Sequence, residues 1–225
     1  MNVFDMIGPV MIGPSSSHTA GAARLGLAAR NLLGERPLSA ELLLHGSFAK
    51  TYRGHGTDKA LVAGILGLSP DDDRLRHSLT LAREQGLPVR LTAGEVPGAE
   101  HPNTVRITLT GASGRSVAVQ GASVGGGNIR VTRLDGLEMD LTGEAPTLVV
   151  AHNDTAGVIA AVTEALRSLE LNIGGFRLTR AAKRGLAVMT VELDSEPPAN
   201  LVDELSLLPN VLRVIFLAVE RRRAV

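Results

Sequence analysis

The sequence predicts two domains of mixed α/β character (α+β or α/β), the second with the βαββαβ order of the ferredoxin-like arrangement. Three observations predict this. A chain of 225 residues has room for two small hydrophobic cores. The segment "TGEAP", Thr142–Pro146, reads as a linker, and the hydrophobic pattern resets after it. Beyond the linker, strand and helix patterns follow in the order strand, helix, strand, strand, helix, strand within about 75 residues, the split βαβ signature. The expected domains are therefore 1–143 and 147–225.

Each element has its own signal. A first helix opens near Ser17–Thr19 and runs through "AGAARLGLAARNLL", with Gly34 suited to the C′ position. "ELLLHG" is a short apolar run read as a strand that ends at Gly46. In "GTDKALVAGILG", Thr57 or Asp58 caps a helix that Gly67 stops. "SPDDDRLRHSLTLAREQG" carries the signals of one helix: Ser69 as cap, Pro70 at the first position, acids in the first turn and Gly86 at the end. "LPVRLTA" reads as a strand. From His101, "NTVRITLTGASGRSVAVQGASVG" alternates in period two around "GASG", which predicts a hairpin, and "NIRVTRLDGLEMDLTG" predicts another around "LDG". Between them, Gly125–Gly127 serves either as a hinge or as backbone at positive φ that a ligand approaches closely. After the linker come "TLVVAHND", "TAGVIAAVTEALRSL", "NIGGFRLTRAA", a "KRG" turn, "LAVMTVEL", "NLVDELSLL" and "NVLRVIFLAV".

Composition narrows the function. Acidic and basic residues balance at 23 each, which gives no electrostatic support for nucleic-acid or membrane-surface binding. Arg221–Arg223 reads as a solvated tail. No apolar run reaches membrane-spanning length and "MNVFDMIGPV" lacks a signal-peptide pattern, so the expected location is the cytoplasm. There is no cysteine, and hence no disulfide, thiol nucleophile or thiolate ligand. With 2% aromatic residues and no tryptophan, a stacking platform for single strands is not expected.

Three clusters could carry chemistry. "GPSSSHT" sets Ser15, Ser16, Ser17, His18 and Thr19 at a helix start, where free N–H groups and the helix dipole favour an anion. One serine suffices for a cap, so the surplus hydroxyls point to a ligand rather than to an over-decorated cap. "GHGTD" puts His55 between glycines, directly before Gly56, Thr57 and Asp58, and Asp58 could orient a neighbouring imidazole; the alternative is a glycine-rich turn with a surface histidine. "HPNT" holds His101 extended ahead of Pro102, with Asn103 and Thr104 following; by itself this reads as an ordinary turn. His45 and His77 read as structural or exposed. Neither a zinc-type HExxH spacing nor a GxSxG nucleophile elbow is present.

Taken together and in this order, "GPSSSHT", "GHGTD", "HPNT" and "GGGNIRVTRLDG" resemble the beta chains of bacterial iron–sulfur L-serine dehydratases over essentially the whole chain. The resemblance implies an N-terminal substrate-binding beta domain, akin to the allosteric substrate-binding domain of some phosphoglycerate dehydrogenases, and a C-terminal ACT domain. It implies conversion of L-serine to pyruvate and ammonia without pyridoxal phosphate. The Lewis acid would be a [4Fe–4S] cluster held by cysteines of an alpha chain, which suits a chain with none of its own. Under it, Ser15, Ser16, Ser17 and Thr19 seat the carboxylate, Gly56, Thr57, Asp58, Asn103 and Thr104 complete the substrate site, and His55 is the base, with His18 or His101 assisting.

For the second domain, the resemblance implies an amino-acid effector site at an interface between chains. Its residues would be His152, Asn153, Asp154, Gly157, Asn172 and Ile173, with Ala156 where many ACT domains have proline. Pairing through this domain into a dimer is expected. Two alternatives remain at this point: an amino-acid-sensing module that regulates another catalyst, and an assembly protein that only pairs chains.

Overall fold

The computed structural model describes residues 15–219; the N-terminal decapeptide and the Arg221–Arg223 tail discussed above lie outside this range. The chain divides into two compact units, one up to Gly136 and one from Leu137 onward.

The first unit opens with a π-helical turn, Ser16–Gly21, that continues into α1 (Ala22–Leu33). Gly34 closes α1 in the left-handed conformation at φ 72°, as its position predicts. Then follow β1 (Pro37–Leu44), α2 (Gly46–His55), α3 (Thr57–Ile65), a 3-10 turn (Asp73–His77), α4 (Ser78–Glu84), β2 (Val89–Ala93), β3 (Thr104–Gly111), β4 (Ser116–Gly125) and β5 (Asn128–Leu134). Their sheet order is β2-β1-β3-β4-β5, with β1 and β2 parallel and the other pairs antiparallel. Buried Ala40, Leu42 and Leu44 alternate with less buried neighbours along β1, the period of a strand with one core-facing side.

Two helices differ from the sequence reading. α2 spans "GSFAKTYRGH", which carries two glycines and only one fully buried side chain, Phe48, so its apolar period is too weak to read. What starts it is tertiary: the carbonyl of Pro102 accepts the N–H of Ser47 at 2.7 Å and that of Phe48 at 3.4 Å. Gly46, at φ 55°, allows the contact, because a Cβ there would stand 2.6 Å from that same carbonyl oxygen. The helix expected over Ser69–Gly86 is split. Asp72, not Ser69, caps the 3-10 turn by accepting the Arg74 N–H, and α4 begins only at Ser78, whose buried hydroxyl donates to the Lys59 carbonyl at 2.6 Å.

α1 and α3 pack backbone to backbone. A Cβ on Gly64 would overlap the Ala23 carbonyl oxygen, and one on Gly26 would overlap that of Leu61. α3 is buried nearly all round, from Thr57 and Ala60 to Ile65, as a helix central to its layer must be.

The second unit contains β6 (Leu137–Leu141), reached through the turn Asp135–Gly136 with both residues at positive φ. It then runs β7 (Thr147–Asn153), α5 (Val158–Ser168), β8 (Ile173–Arg180), β9 (Leu186–Leu193), α6 (Leu201–Ser206) and β10 (Val211–Leu217). The four-stranded sheet has the order β10-β7-β9-β8 with every pair antiparallel, which is the ferredoxin-like topology the pattern predicts. Leu148, Val150, Met189 and Val191 meet Val158, Val162, Leu166 and Leu205 in its core. No helix among the described residues is long and apolar enough to cross a membrane.

Candidate functional site

Two of the sequence clusters, far apart in the chain, meet at the π-helical turn through His18 and His55, and the third reaches its neighbours Ser47 of α2 and Ser123 of β4. Ser15 is its N-cap: the Ser15 hydroxyl accepts the His18 N–H at 3.2 Å, and the Ser15 carbonyl accepts that of Thr19 at 2.8 Å. One serine therefore does the capping. Ser16 and Ser17 stand in the first turn, half-buried, where backbone N–H groups have no intrahelical acceptor. The π geometry widens the turn at this point in the chain.

His18 is held at both ring nitrogens. Nε2 lies 3.2 Å from the Ser47 hydroxyl and Nδ1 lies 3.4 Å from that of Ser15. Its ring meets Phe48 edge-on at 5.3 Å and His55 at 4.8 Å, so the π-helical turn packs on the face of α2 that carries residues 48 and 55. Burial, and secondarily the neighbouring His55, lower the pKa of His18 below 6.5. His18 therefore stays neutral to a lower pH than a free imidazole, and wild-type stability declines as pH falls through the window below 6.5. An NMR titration should place the His18 midpoint below 6.5, and His55→Asn should raise it while leaving it below that value, since burial is the larger cause. A midpoint unmoved by His55→Asn would contradict the contact.

His55 is exposed, the last residue of α2, and Gly56 follows at φ 70° to turn the chain directly into α3. Thr57 begins α3 with its hydroxyl fully buried and without a hydrogen-bond partner, and Gly56 rather than Thr57 or Asp58 is the N-cap. Asp58 turns its carboxylate to the Lys59 N–H at 2.8 Å. His101 is set apart from the ring pair in its bonding: its Nδ1 accepts the Asn103 N–H at 3.1 Å, and its carbonyl accepts the Thr104 hydroxyl at 2.6 Å. "HPNT" is thus a built turn, and its proline carbonyl is what starts α2.

Four buried side-chain oxygens here have no partner: those of Thr19, Thr57, Asn103 and Ser123. The first three come one from each sequence cluster. Ser123 is opposite Asn103 where β4 meets the start of β3, its N–H donating to the Asn103 carbonyl at 3.1 Å. Gly21 of the π-helical turn packs directly on the Ser123 hydroxyl. Unpaired buried hydroxyls and amides each cost about 1–3 kcal/mol, so each of these four groups calls for an explanation beyond the bonds within the chain.

Sequence reasoning missed Ser47, Phe48 and Ser123. Ser123 had a signal, standing two residues before the glycine triplet; Ser47 and Phe48 had none, because α2 itself was not legible. The triplet is a turn, with φ of 108°, 60° and 78°, and Arg24 donates to the Gly127 carbonyl at 2.9 Å.

In the second unit the residues of the expected effector site are separated. His152 is buried, Nδ1 donating to the Asn153 carbonyl at 2.8 Å and Nε2 without a partner. Asp154 accepts Arg180 at 2.8 Å and the Arg184 N–H at 2.9 Å, and these bonds, the backbone one first, lower its pKa. Gly157 takes φ 94° ahead of α5. Asn172 donates to Asp194 at 2.6 Å, and Ile173 opens β8. Asn153 pairs with Leu186 and Ile173 with Leu193, the two ends of β9, about 23 Å apart at strand spacing. One chain does not bring the loop and the Asn172–Ile173 pair together.

Among the described residues, no group of three histidine, aspartate or glutamate side chains is placed to hold a metal. With no cysteine in the sequence, the chain offers no seat of its own for an iron–sulfur cluster.

Residues 2–87 match the sequence model of the family described as serine dehydratase beta chain. The Bacillus subtilis protein named "Probable L-serine dehydratase, beta chain" is 42% identical over 217 residues, covering 96% of this chain and 98% of its own. The "L-serine dehydratase, beta chain" of Peptoniphilus asaccharolyticus is 38% identical over 193 residues, covering 86% and 87%. Among solved structures, the ACT domain of a Chlorobium tepidum GTP pyrophosphokinase aligns to 32% of this chain and 95% of its own, at 20% identity and a TM-score of 0.28.

Proposed function

The chain belongs to the serine dehydratase beta-chain family, and from that premise we propose that it is the substrate-binding subunit of an L-serine ammonia-lyase, which converts L-serine to pyruvate and ammonia. The observation that carries this reading is that three distant motifs each hold an unpartnered buried oxygen, and that the histidines of two of them, His18 and His55, are in ring contact.

In this reading the substrate carboxylate lies at the start of the π-helical turn, against the free N–H groups and the Ser16 and Ser17 hydroxyls. Thr19, Thr57, Asn103 and Ser123 bind its remaining polar atoms and regain the bonds they lack. His55, on the open side of the site, takes the proton from the α-carbon. His18 stands behind it, fixed by Ser15 and Ser47, and burial together with the neighbouring His55 lowers its pKa and so favours its neutral form. Departure of the β-hydroxyl calls for an electrophile. Since an iron–sulfur cluster does not fit this chain's own residues, that group belongs to an alpha chain in this reading.

The second unit would serve as an ACT domain. Its buried, unpartnered His152 Nε2 favours an amino-acid effector, and the separation of Asn153 from Ile173 favours a site shared by two copies of the chain.

The deciding experiment is anaerobic pyruvate and ammonium release from L-serine by this chain assembled with the alpha chain. Equal amounts of both products, formed only when both chains are present, are expected. A well-formed complex that makes no pyruvate would replace this reading with an amino-acid-sensing module. Thr57→Val sharpens the assay. It removes a buried unpaired hydroxyl at constant shape, so the free chain should be as stable as wild type or more so, while KM for L-serine should rise about tenfold or more. An unchanged KM would remove Thr57 from the site.

A further inference from the structure

Of the glycines among the described residues, Gly54 alone lacks a reason among those residues. Each of the others either holds a positive φ or stands so close to a neighbour that a Cβ would come within 4 Å of another atom. Gly54 has neither: it sits in the last turn of α2 at an ordinary helical φ, is exposed, and has open space where a Cβ would be. An exposed glycine inside a helix lowers stability relative to alanine, so its own chain gains nothing from it. Gly56, two residues on, makes the contrast: its φ of 70° requires glycine for the turn into α3.

The surroundings of Gly54 are equally one-sided. Lys50 is the helical neighbour of both Arg53 and Gly54, at i+3 and i+4, the two cations are exposed, and neither pairs with an acidic side chain among the described residues. Arg53 stacks on the Tyr52 ring at 5.4 Å and also suits the C-terminal end of the helix dipole. Lys50, in the middle of α2, has no such role. α2 carries no acidic residue at all. Directly beside this face stands His55, exposed at the open side of the site.

We propose that the face of α2 formed by Lys50, Arg53 and Gly54 is the docking surface for the alpha chain, which meets it with acidic side chains and brings its backbone into contact at the Gly54 Cα. This rests on the reading above, in which a second chain completes the site at His55. Gly54 leaves room for close approach, the two cations supply steering and register, and contact here closes the open side of the histidine pair.

The test uses this chain and the alpha chain of the same enzyme, produced separately and mixed anaerobically. Gly54→Ala should raise the Tm of the free chain by about 1–3 °C and weaken its association with the alpha chain about tenfold or more. Lys50→Glu with Arg53→Glu should leave Tm nearly unchanged and slow association, with a shallower salt dependence than wild type. Wild-type affinity in Gly54→Ala would overturn the proposal, as would a lowered Tm, which would mean that the space is filled within the free chain. Failure of the wild-type chains to associate at all would instead overturn the reading of a two-chain enzyme.

Discussion

Replacing His55 by asparagine is expected to lower kcat for L-serine by about 10²–10⁴-fold in the assembled enzyme, the range for loss of a positioned general base. Asparagine keeps the size and polarity of the last residue of α2, and the αL turn at Gly56 is untouched, so assembly at saturating alpha chain should survive. His18 cannot take over easily. Its ring nitrogens lie beside the Ser15 and Ser47 hydroxyls and it is half-buried behind His55. KM should change little, because the carboxylate seat lies on the π-helical turn and not on α2. Turnover within about twofold of wild type would rule out His55 as the base and leave His18 to be tested in the same way.

The largest stability effect is expected from Gly64→Ala. Its Cβ would overlap the carbonyl oxygen of Ala23 and crowd the backbone nitrogen of Leu27, both in α1. Neither atom belongs to a flexible side chain, so α1 and α3 must separate along their whole contact. Overpacking of a well-filled core costs about 1–3 kcal/mol, and a clash against backbone lies at the upper end of that range or beyond. The helix-propensity gain of alanine over glycine, about 1 kcal/mol at most, opposes this and is outweighed. For a chain of this size the net loss should lower Tm by about 6–10 °C in a thermal melt. The same substitution at Gly54 is expected to move Tm the other way, because nothing stands where its Cβ would be. A Gly64→Ala melt within about 2 °C of wild type would refute the close packing of α1 on α3.

These two glycines show where sequence reading stops. Both lie in helices, and nothing in "LVAGILG" or "TYRGHG" separates a glycine demanded by a neighbouring backbone from one that leaves open space. The difference belongs to residues far away in the chain. α2 makes the same point. Its start depends on the Pro102 carbonyl, supplied from far along the sequence, and a ten-residue helix with one buried side chain leaves too little periodicity to be seen.

The sequence by itself determined the ferredoxin-like order of the second unit, the strands and hairpins of the first sheet, and the three clusters around His18, His55 and His101. It could do so because hydrophobic period, turn chemistry and helix caps are local and act within a few residues. Only the tertiary structure decided which of those clusters are in contact. It set His18 against His55 through α2, assigned the capping to Ser15, left the Thr19 hydroxyl unpaired, and added Ser47 and Ser123. In the second unit it put the loop after His152 and the Asn172–Ile173 pair at opposite ends of one strand. The physical reason is common to all of these. Contacts between elements are fixed by packing and by hydrogen bonds across long sequence separations, and no local pattern records them.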